Sequence, residues 1–359
     1  MPSELLADRF ALERVLGEGG YGVVYSARNV ATGQRVAVKV LHPRHVAADD
    51  RELARRFERE AERASGLRHP NTVRVFDHGR TDDGARFIVM ELLEGEDLGQ
   101  RLLRAGALPE SEAVAVLGCV LRALAEAHEA GLVHRDIKPD NIFLARVGLD
   151  ADIVKVLDFG LAKLTHGGVS ALTQTGVIVG TPAYLSPEQC YGQEVDRRSD
   201  LYALGCVAYH MLAGQPPFVA EDTIGYLLQH SQIAPRDVRL AAGPDAAISD
   251  GLARWVHRLL KKRPEARFRS AAEALEALEQ ATRAAAPSWA GPTPTEAAYV
   301  PAGMVAVQPP RARRRWPWLA ALGGAAGAAA LWAATATAPR PVAAVEGAAV
   351  SRLGALPPG

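Results

Sequence analysis

The chain has little of what marks several other classes of protein. Its 359 residues include three cysteines, at positions 119, 190 and 206, which are far apart and odd in number. They form neither a metal-ligand spacing nor a disulfide framework, so a reducing compartment is expected for residues up to about 280. The 41 basic and 41 acidic residues cancel, so no net charge indicates a nucleic acid partner. The first ten residues contain no apolar run of the kind found in signal peptides.

Lysine is also scarce. Of the 41 basic residues only six are lysines, at positions 39, 138, 155, 163, 261 and 262. A lysine in such an arginine-rich chain indicates a task that arginine cannot perform, although the last pair is typical of plain surface. What is present, 48% hydrophobic residues, is enough for one large domain or for two lobes with a core.

The first part of the chain, to about Leu93, has the pattern of a small sheet with one helix. Alternating β-branched residues predict three strands between Phe10 and Leu41, and two more over 72–79 and 86–92. The charged amphipathic stretch over 48–65 predicts a helix between these two groups of strands.

The pattern becomes mostly helical beyond Gly95. Helices are predicted over 110–130, over a run from Asp200 that is apolar on nearly every face, and over 248–260 and 270–282. The run from Asp200 should lie buried at the centre of a second lobe. Ser270 is expected to cap the last helix, with Glu273 at the capping-box position.

The composition changes after Thr282. Residues 283–315 are rich in Pro, Ala and Gly and predict a disordered linker that ends at the arginine cluster over 311–315. Residues 316–338 carry no charge, and a helix of this length would measure about 34 Å, enough to cross a bilayer. The arginines would then place the preceding domain in the cytoplasm and leave 339–359 as a short tail outside. A soluble Ala/Gly-rich linker is the alternative.

The most polar loop lies over 133–141 and reads Val-His-Arg-Asp-Ile-Lys-Pro-Asp-Asn between apolar runs. Such a loop must face solvent or coordinate something charged. Asp136 offers a proton acceptor, Lys138 a cation for phosphate and Asn141 an amide oxygen for a metal. Asp158, which follows a second apolar run, is a further candidate metal ligand.

A glycine-rich stretch over 17–22 joins the first two predicted strands. Glycines allow backbone N–H groups to approach phosphate oxygens without a Cβ in the way. A dinucleotide-binding loop would need a helix after the glycines, but a strand follows here. A purely structural hairpin turn stays open as the alternative.

Lys39 lies on the third predicted strand, at a position where alternation predicts an inward side chain. A buried ammonium needs a partner because its desolvation is costly. Glu60 on the following helix is the best candidate, and Glu58 and Glu62 share that helix. Together Lys39 and Glu60 could hold the α- and β-phosphates of a nucleotide. The alternative is a lysine on an edge strand whose ammonium reaches solvent.

These motifs, in this order, make residues 10–282 resemble a bacterial eukaryotic-like (Hanks-type) Ser/Thr protein kinase. The resemblance implies an α+β bilobal protein-kinase fold, with an antiparallel sheet and one helix over about 10–93 and a mainly helical lobe over about 94–282. The matching residues are Gly17, Gly19, Gly22, Lys39, His134, Arg135, Asp136, Asn141, Asp158, Phe159, Gly160, Ser186, Pro187, Glu188, Asp200 and Arg267. At 186–188 the family usually has Ala-Pro-Glu, where this chain has Ser-Pro-Glu.

The resemblance implies a role for each catalytic residue in the transfer of phosphate from ATP. Asp136 would orient the substrate hydroxyl and accept its proton, and Lys138 would stabilise the γ-phosphate in transfer. Asn141 and Asp158 would hold Mg²⁺, with Mn²⁺ as the alternative metal. A lysine two residues after the catalytic Asp is typical of kinases that act on Ser or Thr, and Thr181 resembles the Thr that contacts both residues.

The resemblance also implies an ATP pocket. Met90 aligns with the gatekeeper, 91–93 with the hinge that binds adenine, and Asp97 with the residue that contacts ribose, although a helix start also favours Asp. The full expected set is Gly17, Glu18, Gly19, Gly20, Tyr21, Gly22, Val24, Ala37, Lys39, Met90, Glu91, Leu93, Asp97, Asn141, Phe143 and Asp158.

We expect the kinase activity to be controlled by phosphorylation of the Thr-rich segment, at Ser170, Thr173 or Thr175. A phosphate there adds about −1.5 to −2 charges and could pair with Arg135. Glu188 and Arg267 are expected to form a structural ion pair. A homodimer, through the kinase domain or the membrane span, is a further expectation.

Two other classes of protein share the fold. A pseudokinase scaffold would have lost a catalytic residue, which is not the case here. A small-molecule kinase of the aminoglycoside-phosphotransferase type should lack the Ser-Pro-Glu segment. Bacterial receptor kinases often carry a large sensory domain outside the cell, so the short tail puts a sensing role in doubt.

Overall fold

The computed structural model describes residues 5–19, 22–42, 51–81, 84–147, 151–159, 182–244 and 246–283. Within these residues the chain forms two lobes, an antiparallel sheet with one helix followed by a mainly helical lobe, as expected from the resemblance. The strands of the first lobe are β1 (Leu5–Leu6), β2 (Phe10–Gly19), β3 (Gly22–Asn29), β4 (Arg35–Leu41), β5 (Val75–Arg80) and β6 (Arg86–Glu91). They pair in the order β1-β2-β3-β4-β6-β5, and α1 (Arg51–Gly66) packs near β5.

Alternation along β4 sends its side chains to two separate apolar clusters. Val36 and Val38 join Phe10, Phe87 and Val89 on one face of the sheet. Ala37 and Leu41 face the other way, in a cluster with Phe57, Ala61, Val73, Ile88 and Met90. Lys39 has the same parity as Ala37 and Leu41, so its side chain projects from this second face and is 6% exposed. The inward position predicted from the sequence is confirmed.

The second lobe contains a small three-stranded sheet, in the order β7-β8-β9, and is otherwise mainly helical. Its elements are β7 (Gly95–Asp97), α2 (Leu98–Ala105), α3 (Glu110–Glu129), β8 (Ile142–Val147), β9 (Ala151–Val156), α4 (Pro187–Tyr191), α5 (Arg197–Ala213), α6 (Thr223–Gln232), α7 (Val238–Ala242), α8 (Asp250–Leu259) and α9 (Ala271–Thr282). The sequence patterns had not indicated β1, β7, α2, α4, α6 or α7.

Helix α5 lies at the centre of this lobe, as predicted. Thirteen of its 17 residues are buried, on every face of the helix, and it contacts both α3 and α8. Burial of a large apolar side chain contributes about 1.5–3 kcal/mol relative to exposure, so α5 is a major source of the lobe's stability. The helix also carries Asp200, which is 1% exposed and accepts hydrogen bonds from the backbone of the polar loop over 133–141.

Two predicted details differ from the structure. The strand predicted over 72–79 begins at Val75, because Thr72 instead forms an isolated bridge with Val156 of the second lobe. Ser270 caps α9, since its hydroxyl accepts from the Glu273 N–H at 3.1 Å. The Glu273 carboxylate, however, accepts from the Arg269 N–H at 2.8 Å, a hydrogen bond one residue earlier than the capping box predicted.

Candidate active site

The catalytic loop over 133–141 follows α3 and ends in a 3₁₀ turn, Pro139–Asn141, before β8. His134 is fully buried in it. Its Nδ1 accepts from the Asp136 N–H at 3.2 Å, so Nε2 carries the ring proton and donates to the Leu157 carbonyl at 2.7 Å. His134 therefore joins the loop to the segment that carries Asp158.

Asp200 of α5 binds the backbone of this loop. Its carboxylate accepts from the His134 N–H at 2.9 Å and the Arg135 N–H at 2.7 Å, and it contacts His128 Nε2 at 2.8 Å. Burial alone would raise the pKa of Asp200, but the hydrogen bond and charge of His128 and the Arg135 N–H lower it below its ordinary value. The ionised carboxylate is thus a stable anchor for two successive peptide groups.

Arg135 and Asp158 adopt a backbone conformation that side chains disfavour. Their φ angles are +70° and +57°, in the left-handed region. Such residues cost about 1–3 kcal/mol each and persist only where the surroundings hold them. The hydrogen bonds around both residues therefore have a positioning task beyond stability.

Asp136 lies between the two other polar side chains of its loop. Lys138 Nζ is 3.0 Å from its Oδ2. The Asn141 amide nitrogen donates to the Asp136 carbonyl at 2.7 Å and to its Oδ2 at 3.1 Å. The carboxylate is thereby held in one orientation beside a cation. Because Asn141 uses its amide nitrogen here, its amide oxygen is the atom suited to a metal ion.

Lys39 meets Asp158 across 119 residues of sequence. Lys39 Nζ lies 2.7 Å from Asp158 Oδ2. Burial alone would raise the pKa of Asp158, but the charge of Lys39 lowers it, so the carboxylate is ionised. Glu60 on α1 is buried at 6% exposure, and its pairing with Lys39 stays a prediction.

Phe159 fixes the segment that carries Asp158. Its ring is buried and meets the His134 ring edge-on, with centroids 4.9 Å apart. Phe159 and Met90 line one apolar cavity together with Ala64 of α1 and with Leu67, which follows that helix. The catalytic loop, the Asp158 segment and the sheet thus meet around one cleft.

Several expected ATP-pocket residues occupy the sheet side of this cleft, at positions that also serve the fold. Ala37 and Met90 belong to the cluster beneath the sheet, and Val24 and Leu93 pack against it. Gly22 is required sterically, because a Cβ there would overlap the Val40 carbonyl. Glycines 17 and 19 have open space where a Cβ would lie, which leaves room for a ligand.

Three hinge-side residues have structural partners. Glu91 accepts from Lys155 Nζ at 2.6 Å and from the Arg74 N–H at 2.8 Å. Asp97 caps α2, because its Oδ1 accepts from the Gln100 N–H at 2.8 Å. Phe143 pairs with Asp97 between β8 and β7. Their contacts with a nucleotide stay predictions.

Seven expected site residues lie outside the described residues. They are Gly20, Tyr21, Gly160, Ser170, Thr173, Thr175 and Thr181. The predicted linker, membrane span and tail lie outside them as well, apart from Arg283. Among the described residues, no helix is both long and apolar enough to cross a bilayer.

The described residues fit a hard divalent cation bound together with a nucleotide. They contain no cluster of three or more His, Cys, Asp or Glu that could hold a metal by itself. Mg²⁺ usually keeps several waters and is bound through one or two carboxylates plus the substrate's phosphates. The Asn141 amide oxygen and the Asp158 carboxylate are donors of that type.

Arg267 and Glu188 of the second lobe form the predicted ion pair. Two guanidinium nitrogens of Arg267 contact the two carboxylate oxygens of Glu188, at 2.7 and 2.9 Å. Both residues are buried, at 1% and 4% exposure. The expectation of a structural pair is confirmed.

Comparison with known proteins defines the class. Residues 10–279 match the model of the protein kinase domain, and the chain belongs to this family. It is 43% identical over 279 residues to the serine/threonine-protein kinase pkn3 of Myxococcus xanthus, covering 77% of this chain and 50% of that one. It is 39% identical over 276 residues to PknB of Mycobacterium leprae, covering 75% and 42%. The chain thus spans about half or less of these relatives' length.

A solved structure supports the same class. The kinase domain of PknI from Mycobacterium tuberculosis superimposes with a TM-score of 0.62 at 31% identity. The superposition covers 79% of this chain and 98% of that one. The bilobal fold expected from the sequence is therefore confirmed.

Proposed function

We propose that the chain is a non-specific serine/threonine protein kinase that transfers the γ-phosphate of ATP to hydroxyl groups of proteins. The observation that carries this proposal is the position of Asp136 between Lys138 and Asn141, beside a segment whose Asp158 pairs with Lys39. The names of the relatives, which are serine/threonine-protein kinases, support it.

Each polar residue of the cleft would have a different role in the reaction. Asp136 would accept the proton of the hydroxyl as its oxygen bonds to the γ-phosphorus and the bond to the bridging oxygen of ADP breaks. Lys138 would offset negative charge on the transferred group, and Lys39 would bind the α- and β-phosphates. Asn141 and Asp158 would hold Mg²⁺, which neutralises phosphate charge when bound.

The proposal includes autophosphorylation. The full chain, incubated with ATP and either Mg²⁺ or Mn²⁺, is expected to gain phosphate on Ser or Thr, with Ser170, Thr173 or Thr175 among the sites. Mass spectrometry of the protein itself measures the gain and its position. The Lys39→Met variant is the control and should gain none, because it lacks the cation for the phosphates.

The outcomes of this experiment separate the alternatives. Phosphate in the wild-type chain but not in the Lys39→Met variant supports the kinase proposal. A wild-type chain that binds ATP yet transfers no phosphate, to itself or to a general protein substrate, would instead establish the pseudokinase scaffold. Phosphate at other sites only would overturn the proposed role of the Thr-rich segment that carries Ser170, Thr173 and Thr175.

The proposal places the kinase domain at the cytoplasmic face of the cell membrane, anchored by residues 316–338. The absence of charge over these 23 residues and the arginines before them support it. We expect the full chain in the membrane fraction after cell lysis, resistant to high-salt extraction, and a chain ending at residue 315 in the soluble fraction. A full chain that is wholly soluble would refute the anchor.

A homodimer, through the kinase domain or the membrane helix, is the remaining part of the proposal. Gly323 and Gly327 have the spacing of a helix–helix contact, which supports the second route.

A further inference from the structure

Arg135 is a strained residue, and side chains from the second lobe bind both of the peptide groups that flank it. Arg135 has a φ of +70°, and its N–H donates to Asp200 Oδ1 at 2.7 Å. Its carbonyl, which belongs to the peptide bond that precedes Asp136, accepts from Gln189 Nε2 at 2.8 Å. Asp200 was expected from the sequence, whereas Gln189 was not.

Gln189 is itself held in one orientation. Its Oε1 accepts from the Ser186 N–H and from the Ser186 hydroxyl, both at 3.0 Å. Its own N–H donates to Ser186 Oγ at 3.4 Å, which completes a capping box at the start of α4. A flipped amide would place its oxygen against the Arg135 carbonyl, so Nε2 must point at that carbonyl.

The helix that carries Gln189 is anchored firmly. Pro187, Glu188 and Cys190 of α4 are buried, and Glu188 is tied to Arg267 and Ser199. The Gln189 amide therefore transmits the position of α4 to the peptide before Asp136.

We infer that Gln189 is a positioning residue for Asp136, in the kinase reaction of the proposed function. It holds the Arg135 carbonyl and, with Asp200, stabilises the left-handed conformation that aims Asp136 at the substrate hydroxyl. Gln189 makes a single hydrogen bond to the catalytic loop, so its contribution can be removed without removing a catalytic group.

The Gln189→Glu variant replaces this hydrogen bond by an unfavourable contact between a carboxylate oxygen and the Arg135 carbonyl oxygen. A carboxylate oxygen still accepts from Ser186, and Glu is favoured at this capping-box position, so α4 keeps its cap. The donor to the Arg135 carbonyl is lost. We expect kcat with saturating ATP and peptide to fall about 10- to 100-fold, with little change in KM for ATP, because catalysis is sensitive to small displacements of reacting groups.

Acid pH provides a readout that a merely structural role would not change. A protonated carboxyl group has an O–H that can again donate to the Arg135 carbonyl. The ratio of kcat between the Gln189→Glu variant and the wild type should therefore rise as pH falls. The Gln189→Met variant lacks both donor and acceptor and should show no such recovery.

Ser270→Ala is the matched control, because it removes an N-cap from α9 far along the chain. It should lower thermal stability and leave kcat unchanged. Hydrogen exchange of residues 133–141 adds a measurement that does not need activity, and it should be about tenfold faster in Gln189→Glu and unchanged in Ser270→Ala.

The outcomes test the positioning role of Gln189 separately from the proposed function. Unchanged exchange over 133–141, or a kcat within twofold of an active wild type, would overturn the role of Gln189. A wild type without phosphate transfer would refute the proposed function, and the exchange measurement would still decide whether Gln189 holds the loop.

Discussion

Asp136→Asn is expected to slow phosphate transfer by about 10²- to 10⁴-fold, the usual contribution of a general base. The amide has nearly the size of the carboxylate but cannot accept the proton of the substrate hydroxyl. It also loses the charge that faces Lys138 at 3.0 Å, while its amide oxygen can still accept from the Asn141 amide. The rate of labelled γ-phosphate incorporation into protein measures the effect.

Two controls separate chemistry from binding and folding in this experiment. ATP affinity should change little in the Asp136→Asn variant, because Lys39 and Asp158 are intact on the other side of the cleft. Its thermal unfolding midpoint should stay within a few degrees of the wild type. Full activity in the variant would refute the role assigned to Asp136.

Glu188→Gln is expected to lower the free energy of unfolding by about 3–5 kcal/mol, because removal of one partner leaves a buried charge uncompensated. Arg267 would keep its hydrogen bonds to three backbone carbonyls but lose its carboxylate. Urea unfolding at neutral pH measures the loss. The pair of the exposed Arg9 and the partly exposed Asp77 provides the matched control, and Asp77→Asn should cost less than about 1 kcal/mol.

The effect of Glu188→Gln should depend on pH in a defined direction. Burial alone would raise the pKa of Glu188, but the hydrogen bonds and charge of Arg267 lower it below the ordinary value of 4.5. A carboxylate with a lowered pKa stabilises the fold above its unfolded-state pKa and loses that contribution as pH falls through the folded-state value. The stability difference between wild type and variant should therefore be constant near neutral pH and narrow below about pH 4.5. A difference that is independent of pH would contradict the ion pair.

Local patterns in the sequence predicted much of the site. Alternation along one strand was enough to place Lys39 inward, and the run from Asp200 was recognisable as a buried helix because every face of it is apolar. The motif around Asp136 indicated its partners, since Lys138 and Asn141 are close to it in sequence as well as in space.

Residues with two suitable roles were harder to assign. Asp97 is suited both to ribose and to the start of a helix, and the structure shows it capping α2. Glu273 was at the right spacing for a capping box, but the N–H of Arg269, one residue further from it along the chain, was also within reach of its carboxylate. Short polar side chains have several backbone donors within reach, and spacing alone does not choose among them.

The sequence by itself determined the class of protein, the two-lobed order of strands and helices, and the candidates for the catalytic residues, because these depend on residue types at short spacings. Only the tertiary structure decided which distant residues meet. Lys39 contacts Asp158 across 119 positions, Arg267 contacts Glu188 across 79, and Gln189 reaches the Arg135 carbonyl across 54. Periodicity along a segment shows which side chains turn inward, but the partner that each one contacts depends on how strands, helices and loops distant in sequence pack together.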